Sequence, residues 1–456
     1  MTASATKTAT PTATATATAT ATIATAAAIV VRTRTAAADS AEHSAGPAAE
    51  HSAEPAAADS AQCGAEDSAQ CAAEDGAQGG AVPEMGFTIA DDGSYAARLA
   101  RRTGDAWFPE RWTLDGPEPY AVELPGHQPE EPGSDVLPMA DGRVLIRRSV
   151  DGRHAFSLLY PTGPGTGELP LGAVECERLT LLPPVPGGSR AYALEPRAHT
   201  TAVWLVAGGA FGPEHIADVP GRCTGGVWLD RTGRMLALDR ETAGVTKAVA
   251  VDLERGGEVT ALLQIADGSD DRLLLADPDS GLLLVRSDAP GDDRLGWGVL
   301  GSARPIRFPE SLRLEDAVLT PFAVQPGQML MPESCGVALR IASAAGSRLG
   351  VWRPAGRRLL QLAAPEGWLA GAGLWSTEGV LRLPCTTGAA PVGVVDIAPL
   401  GGLPLDLRME SPGDGGTEPA QAEVAGQEPC AAQMPPVVCK PVPLQQAPLT
   451  SRPQRG

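Results

Sequence analysis

A two-residue turn signal ending in glycine recurs at nearly constant intervals through the middle of the chain. Successive glycines are 45 to 52 residues apart. The seven signals are Asp92-Gly93, Asp141-Gly142, Pro186-Gly187, Thr232-Gly233, Ser280-Gly281, Pro326-Gly327 and Glu378-Gly379. Short apolar runs of strand length lie between them, and helical spacing is hard to find over any window of about twelve residues. The repeat predicts an all-β chain built from copies of one supersecondary unit.

The strands around these turns repeat as well. One strand follows the turn, as in RMLALDR from Arg234, and a second follows as KAVAVDL from Lys247. A third is EVTALL from Glu258. A unit of roughly 45 residues is the length of one four-stranded propeller blade. We therefore expect a seven-bladed β-propeller of four-stranded blades. Six or eight blades, a pair of β-sandwiches and a β-helix are the alternatives.

One hairpin motif allows a family resemblance to be stated. WLDRTGRMLALDR from Trp228 resembles the strand-turn-strand signature of TolB-like propellers and of the propellers of prolyl oligopeptidases. MADGRVLIRRS from Met139 and IADDGSYAARL from Ile89 are weaker copies, and the resemblance covers most of residues 86–400. It implies a propeller alone, because no hydrolase domain follows, so peptidase activity is not implied.

Composition divides the chain into three parts. Residues 1–82 are rich in Ala and Thr and then acidic, with nine acids and no Lys or Arg between Ala36 and Val82. Residues 401–456 are rich in Pro, Gly, Gln and Glu. Both flanks lack the large apolar residues needed to offset chain entropy, so we expect them to be disordered. The propeller is expected at 83–400.

Net charge narrows the classes of partner. The chain carries a formal charge of −19, with 36 basic residues scattered among 55 acidic ones. A nucleic-acid partner is not expected, because phosphate binding needs a concentrated basic face. No membrane span is expected either, because no stretch of about 18 consecutive apolar residues occurs. The N-terminus is a poor export signal, which favours a cytoplasmic protein.

Candidates for catalysis or metal binding are weak. Residues Gly221 to Gly225 match the spacing of a nucleophile elbow with Cys223 as nucleophile, but a strand pattern follows where a helix is required. The segment from Asp277 to Gly281 lacks the further oxygen ligands that calcium needs. No Cys-x-x-Cys occurs, and no two histidines have ligand spacing. We therefore expect no catalytic residues, no metal site and no cofactor.

Aromatic residues supply the one candidate binding site. Trp107, Phe108 and Trp112 form what the sequence suggests is an exposed cluster between two blades. The expected function is a non-enzymatic scaffold that binds a protein or peptide, with these three residues as anchors. The alternatives are a lyase or hydrolase with its site in the central channel, and a relic of a propeller peptidase. The sequence does not indicate the oligomeric state.

Overall fold

Antiparallel strands account for nearly all regular secondary structure in the protein, of which we describe a computed structural model. It describes residues 29–35, 86–101, 106–163, 165–327 and 331–399, which belong to one compact unit. Within these ranges there is no α-helix, and thus none long and apolar enough to cross a membrane. The three 3-10 helices are single turns at Leu253–Arg255, Glu310–Leu312 and Pro332–Ser334.

Strand β1 comes first in the chain, and the other strands fall into seven groups that follow one another along the chain. In chain order they are β1 (Ile29–Thr35); β2 (Thr88–Ile89), β3 (Tyr95–Arg101), β4 (Trp107–Thr113) and β5 (Tyr120–Glu123) of blade 1; β6 (Asp135–Pro138), β7 (Val144–Val150), β8 (Arg153–Pro161) and β9 (Thr166–Glu175) of blade 2; β10 (Thr180–Leu181), β11 (Ala191–Pro196), β12 (Thr200–Ala207) and β13 (Glu214–Pro220) of blade 3; β14 (Arg222–Trp228), β15 (Met235–Thr242), β16 (Val245–Asp252) and β17 (Glu258–Ala261) of blade 4; β18 (Asp271–Ala276), β19 (Leu282–Ser287) and β20 (Arg294–Val299) of blade 5; β21 (Ala317–Val324), β22 (Val337–Ser343), β23 (Gly346–Trp352) and β24 (Leu360–Ala363) of blade 6; and β25 (Leu374–Trp375), β26 (Leu381–Cys385) and β27 (Gly393–Pro399) of blade 7.

Each blade is a meander in which consecutive strands pair antiparallel, from an inner to an outer strand. Blades 4 and 5 are also joined by one parallel pair, between Lys247 and Asp271. Blade 5 departs from the expected four strands, because only a single bridge between Trp297 and Arg307 replaces its outer strand. Ile306 and Phe308 flank this bridge and lie where side chains at Gly296 and Gly298 would stand, which keeps the segment flat against β20.

Blade 7 takes its outer strand from the other end of the chain. All seven residues of β1 pair antiparallel with β27, from Ile29 opposite Pro399 to Thr35 opposite Gly393. The prediction that residues 1–82 are disordered is therefore wrong for Ile29–Thr35. This segment supplies Ile29, Val30 and Val31 to an edge strand whose backbone groups on one side pair with β27. The rest of 1–82, and all of 401–456, lie outside the described residues.

The seven predicted turns all connect an inner strand to its neighbour. The glycine of each has a positive φ, between 69° and 83°, a region that L side chains avoid. In four of the turns an aspartate carboxylate accepts a backbone N–H: Asp92 from Ser94, Asp141 from Arg143, Asp230 from Thr232 and Asp277 from Ser280. Glycine and aspartate together therefore fix these four turns. The inner strands run in one direction, so all seven turns lie at one end of the molecule, which we call the turn face.

The hydrophobic core is divided among the interfaces between blades. Seven clusters of buried side chains occur, one for each pair of neighbouring blades. The cluster between blades 7 and 1 joins Trp112 and Leu114 to Val392 and Val394, so the ring is closed. Most tryptophans belong to these clusters and thus pack between blades. The protein is therefore a seven-bladed β-propeller.

Candidate functional site

The inner strands line the central channel and carry few groups that could do acid-base chemistry. Within β2, β6, β10, β14, β18, β21 and β25, the acidic residues are Asp135 and Asp271, and there is no histidine or glutamate. Asp271 is fully buried and accepts hydrogen bonds from Lys247 Nζ at 2.7 Å and from the Ser269 and Ser287 hydroxyls at 2.8 and 2.7 Å. These partners hold the pKa of Asp271 below its usual value despite burial. Asp271 therefore has a structural role.

Ion pairs span the channel at the turn face. Arg231, in the turn of blade 4, donates to Asp279 in the turn of blade 5, with Nη2 2.6 Å from Oδ2. Its other terminal nitrogen lies 3.8 Å from Oδ1 of Asp91, in the turn of blade 1. Asp279 also accepts the N–H of Gly327 in blade 6, at 3.2 Å. Turns from four blades are thereby linked across this end of the channel.

A groove lies at the opposite end, where the inner strands of blades 1, 2 and 3 begin. It has a volume of about 530 Å³. Blade 1 contributes Leu99 and Trp107, blade 2 and the loop before it contribute Pro132 and residues 134–137, and blade 3 contributes residues 180–184. Most of this surface is apolar. We call this site the blade 1–3 groove.

The loop between blades 1 and 2 is held in place by a bidentate ion pair. Both carboxylate oxygens of Glu130 accept from Arg148, at 2.7 and 2.8 Å, and the Glu130 N–H donates to the Trp107 carbonyl at 2.9 Å. The bidentate geometry fixes the loop more firmly than a single contact would. Pro132 and Ser134, two and four residues after Glu130, are thereby placed against the groove.

Two polar side chains stand in this apolar setting. Asp135 pairs with Arg147, whose Nε lies 2.8 Å from Oδ2, and the Asp135 side chain is about half exposed. The Ser134 hydroxyl is buried and has no hydrogen-bond partner among the described residues. Behind Arg147, its Nη1 lies 2.9 Å from Nδ1 of His154, and burial together with this cation lowers the pKa of His154. A neutral His154 accepts the hydrogen bond and supports the Arg147–Asp135 pair.

The structure separates the three predicted anchor residues. Trp107 is partly exposed and lines the groove, which keeps it as a predicted contact residue. Trp112 is completely buried and Phe108 is 7% exposed, so the expectation of one exposed cluster is wrong for these two. Trp112 packs edge-on against Phe87, with ring centroids 5.0 Å apart, at the interface between blades 7 and 1. Neither Phe108 nor Trp112 is available to a partner.

The weaker sequence candidates are structural. Cys223 lies within β14 and is buried, which raises the pKa of its thiol to about 11, so it is a poor nucleophile. Asp277 closes its own turn by accepting from the Ser280 N–H and hydroxyl, at 3.0 and 2.6 Å. Within the described residues no group of three or more His, Cys, Asp or Glu is placed to hold a metal ion. His43 and His51 lie outside those residues.

Known proteins that resemble the chain in structure are distant from it in sequence. No family model and no curated protein matches the sequence. A puromycin-hydrolysing peptidase of Mycobacterium tuberculosis is 16% identical, over 69% of this chain and 52% of that one, with a TM-score of 0.43. TolB from Acinetobacter baumannii is 10% identical, over 67% and 80%, with a TM-score of 0.38. An oligogalacturonate lyase from Vibrio parahaemolyticus is 10% identical, over 68% and 88%, with a TM-score of 0.44.

The chain thus spans about half the length of the peptidase. Prolyl oligopeptidase B from Galerina marginata is 11% identical, over 66% of this chain and 46% of that one, with a TM-score of 0.40. The order of sheets and the seven interfaces between blades establish the fold by themselves.

Of the residues that line the groove, the sequence had pointed to Trp107 but not to Ser134, Asp135 or residues 180–184. The one sequence feature that could have indicated these residues is their position at or near the start of an inner strand.

Proposed function

We propose that the protein is a non-enzymatic propeller scaffold that binds an extended peptide segment of a partner protein in the blade 1–3 groove. The observation that carries this proposal is the groove itself, an apolar recess of about 530 Å³ at the end of the channel away from the linked turns. Ligand sites usually have volumes of about 300 to 1,000 Å³ and combine apolar walls with a few polar groups. The groove has both properties.

The chemistry of the channel supports binding over catalysis. Asp135 and Asp271 each have a basic partner, Arg147 and Lys247, and neither stands beside a second acid or base of the inner strands. General acid-base catalysis needs a group poised to gain or lose a proton beside the reacting atoms. Trp107, by contrast, offers a large rigid surface of the kind that anchors binding interfaces.

Charge suggests which peptides bind. The whole chain has a net charge of −19, which attracts cationic ligands over long distances. In the groove, Arg147 binds Oδ2 of Asp135, and Oδ1 has no donor among the described residues. The occupant we propose places an apolar side chain against Trp107 and Leu137 and directs a backbone N–H or a basic side chain at Asp135. The buried Ser134 hydroxyl offers a further hydrogen bond at the base of the groove.

The test is selection from a random displayed-peptide library on the full-length protein. We expect recurrent peptides with an apolar residue beside a Lys or Arg. They should bind the wild type at micromolar concentration and bind Trp107→Ala and Thr180→Arg at least about 10-fold more weakly. Thr180 is exposed at the start of β10, so an arginine there blocks the groove without disturbing the core.

The matched control is Tyr120→Ala, which removes another exposed aromatic ring of blade 1, on outer strand β5 and outside the groove. It should bind the selected peptides like the wild type. Equal binding by wild type, Trp107→Ala and Thr180→Arg would overturn the assignment of the groove. Failure to select any peptide from the library would overturn the proposed function itself.

A further inference from the structure

Phe211 is the most exposed large apolar side chain of the described residues, at 98% exposure. It stands at the tip of the loop between β12 and β13, in the sequence Gly-Gly-Ala-Phe-Gly-Pro from Gly208 to Pro213. A phenylalanine ring wholly in water forgoes the favourable transfer that burial provides. Single exposed apolar residues are common, so the argument depends on what surrounds this one.

Contacts with the rest of blades 2 and 3 fix the loop that carries Phe211. The Glu214 carboxylate accepts the Ala210 N–H at 3.0 Å. On the other side of the tip, a side chain at Gly212 would collide with the Leu171 carbonyl, 2.5 Å from its Cβ, so this backbone lies directly against β9. Gly212 also has a φ of +102°, a conformation that residues with a side chain rarely adopt. The backbone on both sides of Phe211 is therefore held in one conformation.

A recess begins beside the same loop. It has a volume of about 370 Å³ and lies between blades 3 and 4. Gly208, Gly209 and Ala210 form one wall, and Leu205 and Leu253 contribute apolar surface. The exposed Phe211 side chain thus directly follows Ala210, which lines a recess large enough for a benzyl group. We call them the Phe211 knob and the blade 3–4 recess.

The charges at the recess balance, in contrast to the rest of the molecule. Its rim carries two arginines, Arg190 and Arg234, and two glutamates, Glu214 and Glu254. The chain as a whole has a net charge of −19, so two copies repel each other at most approaches. A locally neutral patch with an apolar centre is where two copies can meet with least repulsion.

From this arrangement we propose that two copies of the protein associate face to face, with the Phe211 knob of each inserted in the blade 3–4 recess of the other. A two-fold interface requires that the same patch be complementary to itself. Knob and recess share one loop, so a two-fold axis beside that loop brings both pairs together at once. A heterologous contact would use only one pair and leave the second Phe211 exposed.

The position of the interface preserves the groove. The loop between the third and fourth strands of a blade lies at the same end as the turn between its first and second strands. Phe211 is therefore on the side of the turn face, whereas the blade 1–3 groove opens at the opposite end. A dimer built this way presents two grooves that remain open, and a partner with two binding segments would engage both.

The test is sedimentation velocity on the full-length protein at about 1 to 100 µM, which covers the usual range of weak homodimers. We expect a concentration-dependent dimer for the wild type. Phe211→Ser should raise the dissociation constant at least about 100-fold, because a central buried aromatic residue is lost from both sides. Its melting temperature should match that of the wild type, since Phe211 makes no contribution to the core.

A second pair of variants tests the recess without touching the knob. The Glu254 side chain is largely exposed on the rim. Glu254→Trp places an indole over the recess and should also give a monomer, whereas Glu254→Ala should remain dimeric. Val318→Ser removes an exposed apolar residue on inner strand β21, away from the loop, and should dimerise normally. A monomeric wild type at the highest concentration, or a Phe211→Ser protein that still dimerises, would overturn the proposal.

Discussion

Asp239 illustrates how a single residue joins two blades. It lies on β15 of blade 4, is 6% exposed, and accepts the backbone N–H of Leu273 in blade 5 at 3.0 Å. That N–H belongs to β18 where its register with β19 shifts, between Leu273 and Leu275. The carboxylate thus satisfies a donor at an irregularity of the next blade. Burial raises the pKa of Asp239 to about 6, because the hydrogen bond from Leu273 and the charge of Arg272 only partly offset desolvation.

Replacement of Asp239 by Asn should therefore change the pH dependence of stability. The pKa of Asp239 is about 6 in the folded protein and has its ordinary value of 3.8 in the unfolded chain, so the folded protein binds the proton more tightly. The contribution of Asp239 to the free energy of unfolding is then greatest below pH 3.8. It falls by up to about 3 kcal/mol as the pH rises through 6. Asn keeps an acceptor for Leu273 and cannot ionise.

Urea denaturation of wild type and Asp239→Asn, from pH 4.5 to 7.5, measures the effect. We expect the stability of the variant relative to the wild type to increase with pH and to level off above pH 6. Taking the difference cancels other titrating groups such as His154. A difference that stays constant over this range would show that Asp239 is ionised throughout.

Strand β1 shows how one element closes the whole ring. Arg34, on β1, pairs with Asp396 of β27, with Nε 2.9 Å from Oδ2, although the two residues are 362 positions apart. Its guanidinium also donates to the carbonyls of Leu114 and Gly116 in blade 1, at 3.2 and 2.5 Å. Arg34 therefore links the outer strand of blade 7 both to β27 and to blade 1. Arg382 of β26 adds a second link to blade 1, through Asp115 at 3.3 Å.

Loss of this link should weaken the closure. We expect Arg34→Ala to lower the free energy of unfolding by about 1 to 3 kcal/mol, as for removal of hydrogen bonds to a charged group. Arg32→Ala is the matched control, because Arg32 is on the same strand and exposed. Its effect should stay within about 0.5 kcal/mol. Thermal unfolding followed by circular dichroism measures both, and equal stability of Arg34→Ala and wild type would contradict the role of Arg34.

At the scale of the whole molecule, the sequence predicts what is local and repeated. Each of the seven turn signals consists of two adjacent residues, so their spacing predicts seven blades without reference to any contact between blades. Closure by β1 was not predictable in the same way. Ile29–Thr35 adjoins a Thr- and Ala-rich segment and gains its partner only from residues about 360 positions away.

The exposure of the aromatic residues could not be predicted from the local sequence pattern either. In β4, Trp107 packs toward the interface of blades 1 and 2, whereas Trp112 belongs to the interface of blades 7 and 1. Alternation along a strand usually separates a buried face from an exposed one. In a closed ring both faces of a blade are covered by neighbours, so alternation predicts which interface a side chain joins and not whether it is exposed. The groove likewise combines residues from three blades.

The most direct test of the central claim is a methyl NMR titration of the full-length protein with a library-selected peptide. Binding in the blade 1–3 groove should shift the methyl resonances of Leu99, Val136 and Leu137, which line it, in proportion to occupancy. Those of Leu169, exposed on outer strand β9, should not move. Shifts centred on another region, with Leu99, Val136 and Leu137 unchanged at saturating peptide, would contradict the account.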